Sequence, residues 1–116
     1  MKKANIIQKS IDFDRIIKKK NGAVNDAFIV NIEDNNDNIT KFGITFTKNL
    51  CNAVRRNKLK RQVKSIIDNN KKVYQNSKNY IIIIRKGALD KSYQELEISL
   101  TSLLKKEKEK ENEKIK

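Results

Sequence analysis

The spacing of apolar residues divides this chain into six segments. Over residues 10–20, Phe13, Ile16 and Ile17 recur at i, i+3, i+4, which is the stripe of a short amphipathic helix. Ser10 can cap that helix and Asn21-Gly22 can end it. Phe28-Ile29-Val30-Asn31-Ile32-Glu33 then alternates, placing Phe28, Val30 and Ile32 on one face of a strand. The polar cluster Asp34-Asn35-Asn36-Asp37-Asn38 reads as a turn. Phe42-Gly43-Ile44-Thr45-Phe46 alternates again, so the two runs predict an antiparallel hairpin.

A helical period returns over residues 52–68. Leu59, Val63, Ile66 and Ile67 fall on one arc, and Asn57, Lys58, Lys60, Arg61 and Lys64 on the opposite half. Val54 does not fit the stripe. After a polar connection over 71–78, Tyr80-Ile81-Ile82-Ile83-Ile84 is a continuous apolar run, the pattern of a strand buried on both faces. Ser92-Tyr93-Gln94-Glu95 has the form of a capping box. Tyr93, Leu96, Leu100, Leu103 and Leu104 continue it as a helical stripe, with Ile98 off the stripe. From Lys105 onward six Lys and four Glu alternate with almost nothing apolar, predicting a frayed helix extension or a disordered tail. The order α-β-β-α-β-α in 116 residues predicts one α+β domain over 1–104, built on a single small sheet, and a charged tail over 105–116.

Charge narrows the function. The formal net charge is +13, and it is concentrated: residues 52–64 hold Arg55, Arg56, Lys58, Lys60, Arg61 and Lys64 with no acid. Between Asp37 and Asp68 lie eight Lys or Arg residues and no carboxylate. Like charges at helical spacing repel, so a merely solvated face mixes signs. A one-signed face is the footprint of a polyanion ligand. The tail is nearly balanced and does not supply the excess. No apolar run approaches the roughly 20 residues that span a bilayer, and the first residues lack a signal-peptide apolar core.

The same composition removes most catalytic chemistry. Histidine is absent and Cys51 is the one cysteine, so neither a Ser-His or Cys-His nucleophile pair nor a usual zinc site can be built. No internal disulfide is possible, which fits a reducing cytosol. No glycine loop that would cradle a phosphate precedes a helix. Cys51 precedes the basic helix, where a thiolate could be stabilised, but no second feature supports a reactive role. The residues therefore read as nucleic-acid binding, RNA first, with no catalytic or metal-ligating set.

The segment Lys48-Asn49-Leu50-Cys51-Asn52-Ala53-Val54-Arg55-Arg56-Asn57-Lys58-Leu59-Lys60-Arg61 resembles the signature of the bacterial ribonuclease P protein family, roughly Gly-Asn-Ala-Val-x-Arg-Asn-Arg-x-Lys-Arg. The resemblance extends over residues 6–104 and includes Asp12-Phe13, the strand beginning at Phe28, the Phe-Gly-Ile strand and the Tyr-Ile-Ile-Ile-Ile-Arg-Lys strand. Three positions depart from it. Lys58 stands for an arginine, which keeps the charge and loses the planar fork. Cys51 stands for a glycine, which puts the family's turn conformation in question. Asn31 stands where the family often has an aromatic.

The resemblance implies a protein subunit of a ribonuclease P, localised in the cytoplasm. Its RNA partner, with bound Mg2+, hydrolyses precursor tRNA to free the mature 5′ end. It implies RNA contacts at Arg56, Asn57, Lys58, Lys60, Arg61 and Lys64, with Lys48 joining that surface. It implies a cleft for the tRNA 5′ leader at Phe13, Ile17, Ile29 and Asn31; core packing is the competing role for Phe13, Ile17 and Ile29. It also implies a mixed sheet whose β-α-β crossover is left-handed, against the right-handed rule that holds in about 98% of cases. No obligate protein partner is evident. A ribosomal or other small RNA-binding protein, and a DNA-binding module with the basic helix in a major groove, are the alternative readings of the charge pattern alone.

Overall fold

The computed structural model describes residues 6–7, 22–35, 39–74 and 77–115, with side chains to Lys108. Among them the strands are β1 (Ala23–Val24), β2 (Phe28–Asp34), β3 (Lys41–Phe46) and β4 (Lys78–Ile84). The helices are α1 (Ala53–Asn69) and α2 (Tyr93–Ile115), with a 3-10 turn at Lys86–Asp90. The helix expected over 10–20, with Phe13 and Ile17, lies outside the described residues.

The sheet order is β1-β2-β4-β3. β4 runs antiparallel to β2 and parallel to β3. The expected β2–β3 hairpin is therefore replaced: the strands do run in opposite senses, but β4 lies between them. Alternation of apolar residues reports which face a strand buries and not which strand it pairs with. The run Tyr80–Ile84, apolar on both faces, is the one suited to the centre of the sheet, and it takes that place. The β3–α1–β4 connection is thus a parallel crossover, the one to which the family resemblance assigns a left hand.

One sheet face carries the main core. Phe28, Val30, Phe42, Tyr80, Ile82 and Ile84 pack against Leu59, Val63, Ile66 and Ile67 of α1 and Leu96, Leu100, Leu103 and Leu104 of α2. These are the helical stripes read from the sequence. On the other face Ile7 packs with Ile81 and Ile83. Ile7 also donates its backbone N–H to the Phe42 carbonyl at 2.9 Å, beside a parallel bridge from Ile6 to Phe42 at the outer edge of β3.

Asn25 ties α2 to the turn between β1 and β2. Its side-chain oxygen accepts from the backbone of Ala27 (3.0 Å) and Phe28 (2.8 Å), and its amide donates to the Ser99 carbonyl (3.0 Å) and hydroxyl (2.9 Å). Gly22 lies close against the neighbouring backbone of β2. A Cβ there would lie 1.9 Å from the Val30 carbonyl oxygen, so the backbones of residues 22 and 30 can meet only without one. α2 continues without a break through the Lys- and Glu-rich segment to Ile115.

Candidate nucleic-acid interface

α1 starts where its sequence says a helix can start, but with charges that do not favour it. Asn52 is the cap: its side-chain oxygen accepts from the Arg55 N–H at 3.0 Å. The first turn then holds Arg55 and Arg56 and no acid, and Asp68 lies in the last turn. A helix N-terminus already carries partial positive charge from its unpaired N–H groups. Cations placed there cost helix stability and build a strongly positive end. That arrangement suits an anionic ligand, not the free helix.

The turn before α1 is set by Asn49, whose φ is 59°. Asparagine tolerates this left-handed conformation better than most side chains. Cys51, at the family's glycine position, does not adopt a positive φ. Its side chain packs against the main core instead.

Between α1 and the edge strand β3 lies a groove of about 240 Å³, lined by Ile44, Thr45, Phe46, Ala53, Arg56, Asn57 and Lys60. The Arg56 guanidinium carbon sits 5.5 Å from the centre of the Phe46 ring, within cation–π range. Its Nε is buried and without a hydrogen-bond partner. The stack fixes the guanidinium at the groove and leaves its terminal N–H donors for a ligand.

The structure thus brings three of the expected RNA-binding residues, Arg56, Asn57 and Lys60, to one groove. Lys58 is exposed on the other flank of α1, lining a separate groove. Arg61 is exposed and Lys64 half-buried, at i+4 and i+7 from Asn57 on the same helix side. Lys48 is exposed in the turn before α1.

The expected leader-cleft strand residues lie elsewhere. Ile29 and Asn31 pair in register with Ile83 and Ile81, so they belong to the sheet face opposite the helices. Ile29 is half-buried and Asn31 only 4% exposed. Neither lines the groove beside α1. Phe46 is a groove residue the sequence reading did not single out. Alternation places it on one strand face with Phe42 and Ile44. Its position two residues before Lys48 was the available signal.

Arg55, inside the basic run, has an internal partner: its guanidinium donates to the Leu89 carbonyl in the 3-10 turn. Among the described residues no group of three or more His, Cys, Asp or Glu could hold a metal ion.

The ribonuclease P family model matches residues 1–108. The chain is similar to the ribonuclease P protein component of Mycoplasma mycoides, 39% identical over 106 residues, covering 90% of this chain and 97% of the relative. It is similar to that of Streptococcus pneumoniae, 34% identical over 105 residues, covering 90% and 85%. Among solved structures it resembles a Staphylococcus aureus RNase P protein, a mutant with defective mRNA degradation activity. The TM-score there is 0.82, with 36% identity, over 91% of this chain and 90% of that one. The RNase P protein of Thermotoga maritima matches with a TM-score of 0.78 and 29% identity, over 86% and 94%.

Proposed function

The chain belongs to the ribonuclease P protein family, and from that premise we propose how it serves as the protein subunit of the enzyme. It binds the catalytic RNA and the 5′ leader of precursor tRNA, and so assists endonucleolytic removal of the leader in the cytoplasm. The observation that carries this reading is α1, whose cations stand at the helix end where they least favour the helix. Selection for stability alone would place acids there.

Arg56, Lys58, Lys60, Arg61 and Lys64, with Lys48, neutralise RNA phosphates. Asn57 carries no charge and can donate and accept together, so it sets the register of the RNA on the helix. Phe46, stacked under Arg56, offers a face to a leader base, a contact worth about 1–3 kcal/mol. Phe13, Ile17, Ile29 and Asn31 remain leader-cleft residues by family resemblance.

Hydrolysis of the phosphodiester is RNA chemistry in this reading, supported by Mg2+. In this reading the ion belongs mainly to the RNA subunit. The chain's part is to hold the RNA and leader and to offset phosphate repulsion, which lowers the magnesium that assembly needs. Among the described residues no helix is long and apolar enough to cross a membrane.

The test is reconstitution with a ribonuclease P RNA and precursor tRNA at low magnesium. Stimulated cleavage is the expected result. RNA binding without stimulation would favour a general RNA-binding protein, and tighter binding to duplex DNA a DNA-binding module. A salt titration adds the contact count: each phosphate contact on a single strand contributes about −0.7 to the log–log slope, and Arg61→Ala should flatten it by about that amount. An unchanged slope would remove Arg61 from the interface.

A further inference from the structure

The face that α1 turns to the core is apolar, and apolar contact has no preferred direction. Leu59, Val63, Ile66 and Ile67 therefore hold the helix down more firmly than they hold it against turning about its own axis. Hydrogen bonds are directional. Two of them reach from side chains of α2 to the second half of α1. The Tyr93 and Ser65 hydroxyls lie 2.8 Å apart, and the Asn70 amide donates to the Glu97 carboxylate at 3.1 Å.

The second bond is tied into the end of α1 itself. The same Asn70 amide donates to the Ile66 carbonyl at 2.7 Å, and the Asn70 backbone N–H to the Ile67 carbonyl at 3.2 Å. Glu97 thus grips the last turn of the helix through its cap. Ser65, Asn70, Tyr93 and Glu97 are all half-buried, which limits competition from water. Tyr93 and Glu97 stand one turn apart on α2. Together the bonds hold α1 at two points along its length.

A change of roll is felt at the outer surface of α1. A helix is about 10–12 Å across with its side chains, so a roll of about 10° moves its outer groups by about 1 Å. A cation near a phosphate tolerates that shift, because Coulomb attraction falls slowly with distance. The exposed amide of Asn57 does not, since a hydrogen bond is confined to a narrow range around 2.9 Å.

We propose that Tyr93 and Glu97 of α2 are positioning residues that fix the roll of α1 and so let Asn57 meet its RNA in register. They act through Ser65 and Asn70, and they govern selectivity for a folded RNA and not attraction to phosphate. The inference rests on the RNA-binding function above.

Tyr93→Phe removes one hydroxyl and keeps the ring. Glu97→Ala removes the acceptor, whereas Glu97→Gln changes the charge equally and keeps an acceptor for Asn70. Each variant is titrated, well below its melting temperature, against ribonuclease P RNA and a random single-stranded oligonucleotide at one salt concentration. Tyr93→Phe/Glu97→Ala should lower the ratio of the two affinities about tenfold, and Tyr93→Phe alone about threefold. The oligonucleotide affinity of the double variant should stay within twofold of that of Glu97→Gln, which should keep the parent's ratio. Adding Asn57→Ala to the double variant should lower the ratio no further, because both changes act through one amide. A lowered melting temperature with an unchanged ratio would make the two bonds merely structural and overturn the proposal. Equal losses on both ligands, or losses that add with Asn57→Ala, would overturn it too. Should the double variant fail to fold, Tyr93→Phe with and without Asn57→Ala decides by the same criteria. A parent protein with no preference for ribonuclease P RNA would instead overturn the function on which the inference stands.

Discussion

The two helices on this sheet share a core and differ at their ends. α2 opens with Ser92, whose hydroxyl accepts from the Glu95 N–H at 3.2 Å, while the Glu95 carboxylate accepts from the Ser92 N–H at 3.0 Å. That is a complete capping box with an acid where the helix dipole favours one. α1 opens with Asn52, whose oxygen caps the Arg55 N–H, but the third residue on is the arginine itself, and its side chain turns away to Leu89. α2 carries mixed charges along its length, and α1 carries cations until Asp68. In α2 charge serves the helix. In α1 it serves something the helix meets.

The widest separation should come from α1. Removing Arg56 and Lys60 together should weaken RNA binding by more than about a hundredfold, at 1.5–3 kcal/mol for each charge-assisted contact. Loss of the Arg56–Phe46 stack should cost the fold less than that. A melting curve and an RNA titration on one sample check both halves. Collapse of the fold would mean that α1's cations are structural after all.

Asn25→Ala should give the reverse pattern. It deletes two bonds to Ser99 and two that hold the Ala27–Phe28 turn, for a loss of about 2–4 kcal/mol at roughly 1 kcal/mol each. RNA affinity of the folded fraction should not change. Denaturant unfolding monitored alongside binding would detect either departure.

A smaller loss, about 1 kcal/mol, is expected for Ser92→Ala, again without effect on RNA. It should also alter the response to acid. Backbone and side-chain hydrogen bonds at Ser92 hold the Glu95 carboxyl below its ordinary value. With the folded value below the unfolded one, Glu95 stabilises the fold above the ordinary glutamate range, and that contribution is lost as pH falls. Unfolding measured from neutral pH to pH 3 should fall less steeply in Ser92→Ala than in the parent.

The smallest effect separates the two helices most directly. Asn52→Asp should raise stability by about 0.3–1 kcal/mol, because it gives α1 the acidic cap that α2's first turn resembles. It should also weaken RNA binding severalfold. A variant that stabilised the fold and bound RNA better would show that α1's N-terminal charge is not reserved for RNA.

Much of the fold was legible because burial imposes periodicity. Leu59, Val63, Ile66 and Ile67 were read from spacing and are buried. Val54 and Ile98, which fitted no stripe, are 80% and 70% exposed. Strand neighbours were not legible, since the same alternation suits a hairpin and a sheet with a third strand between. β1 was missed because two residues carry no period. Within the candidate site, the cation-only run marked α1 correctly as the exceptional element. It could not show that Arg55 is spent on Leu89, because a charge pattern does not reveal which side chain finds an internal acceptor. Phe46 shares a strand face with Phe42 and packs at the margin of the core, and only the position of α1 leaves it at a groove.

The sheet order carries a consequence for how the chain reaches this structure. β2 and β3 share no ladder; each is joined to the sheet through β4, which follows α1 in the chain. During synthesis, the described residues of a nascent chain that ends before Lys78 can form the two-residue pairing of β1 with β2 and the bridge from Ile6 to Phe42, but no ladder that joins β2 to β3. Closing the sheet requires contacts between residues tens of positions apart, which makes folding slower than for a chain of local contacts. α1 rests on that same sheet. The basic helix is therefore emitted from the ribosome well before it has a platform, and its docking is timed by the arrival of β4.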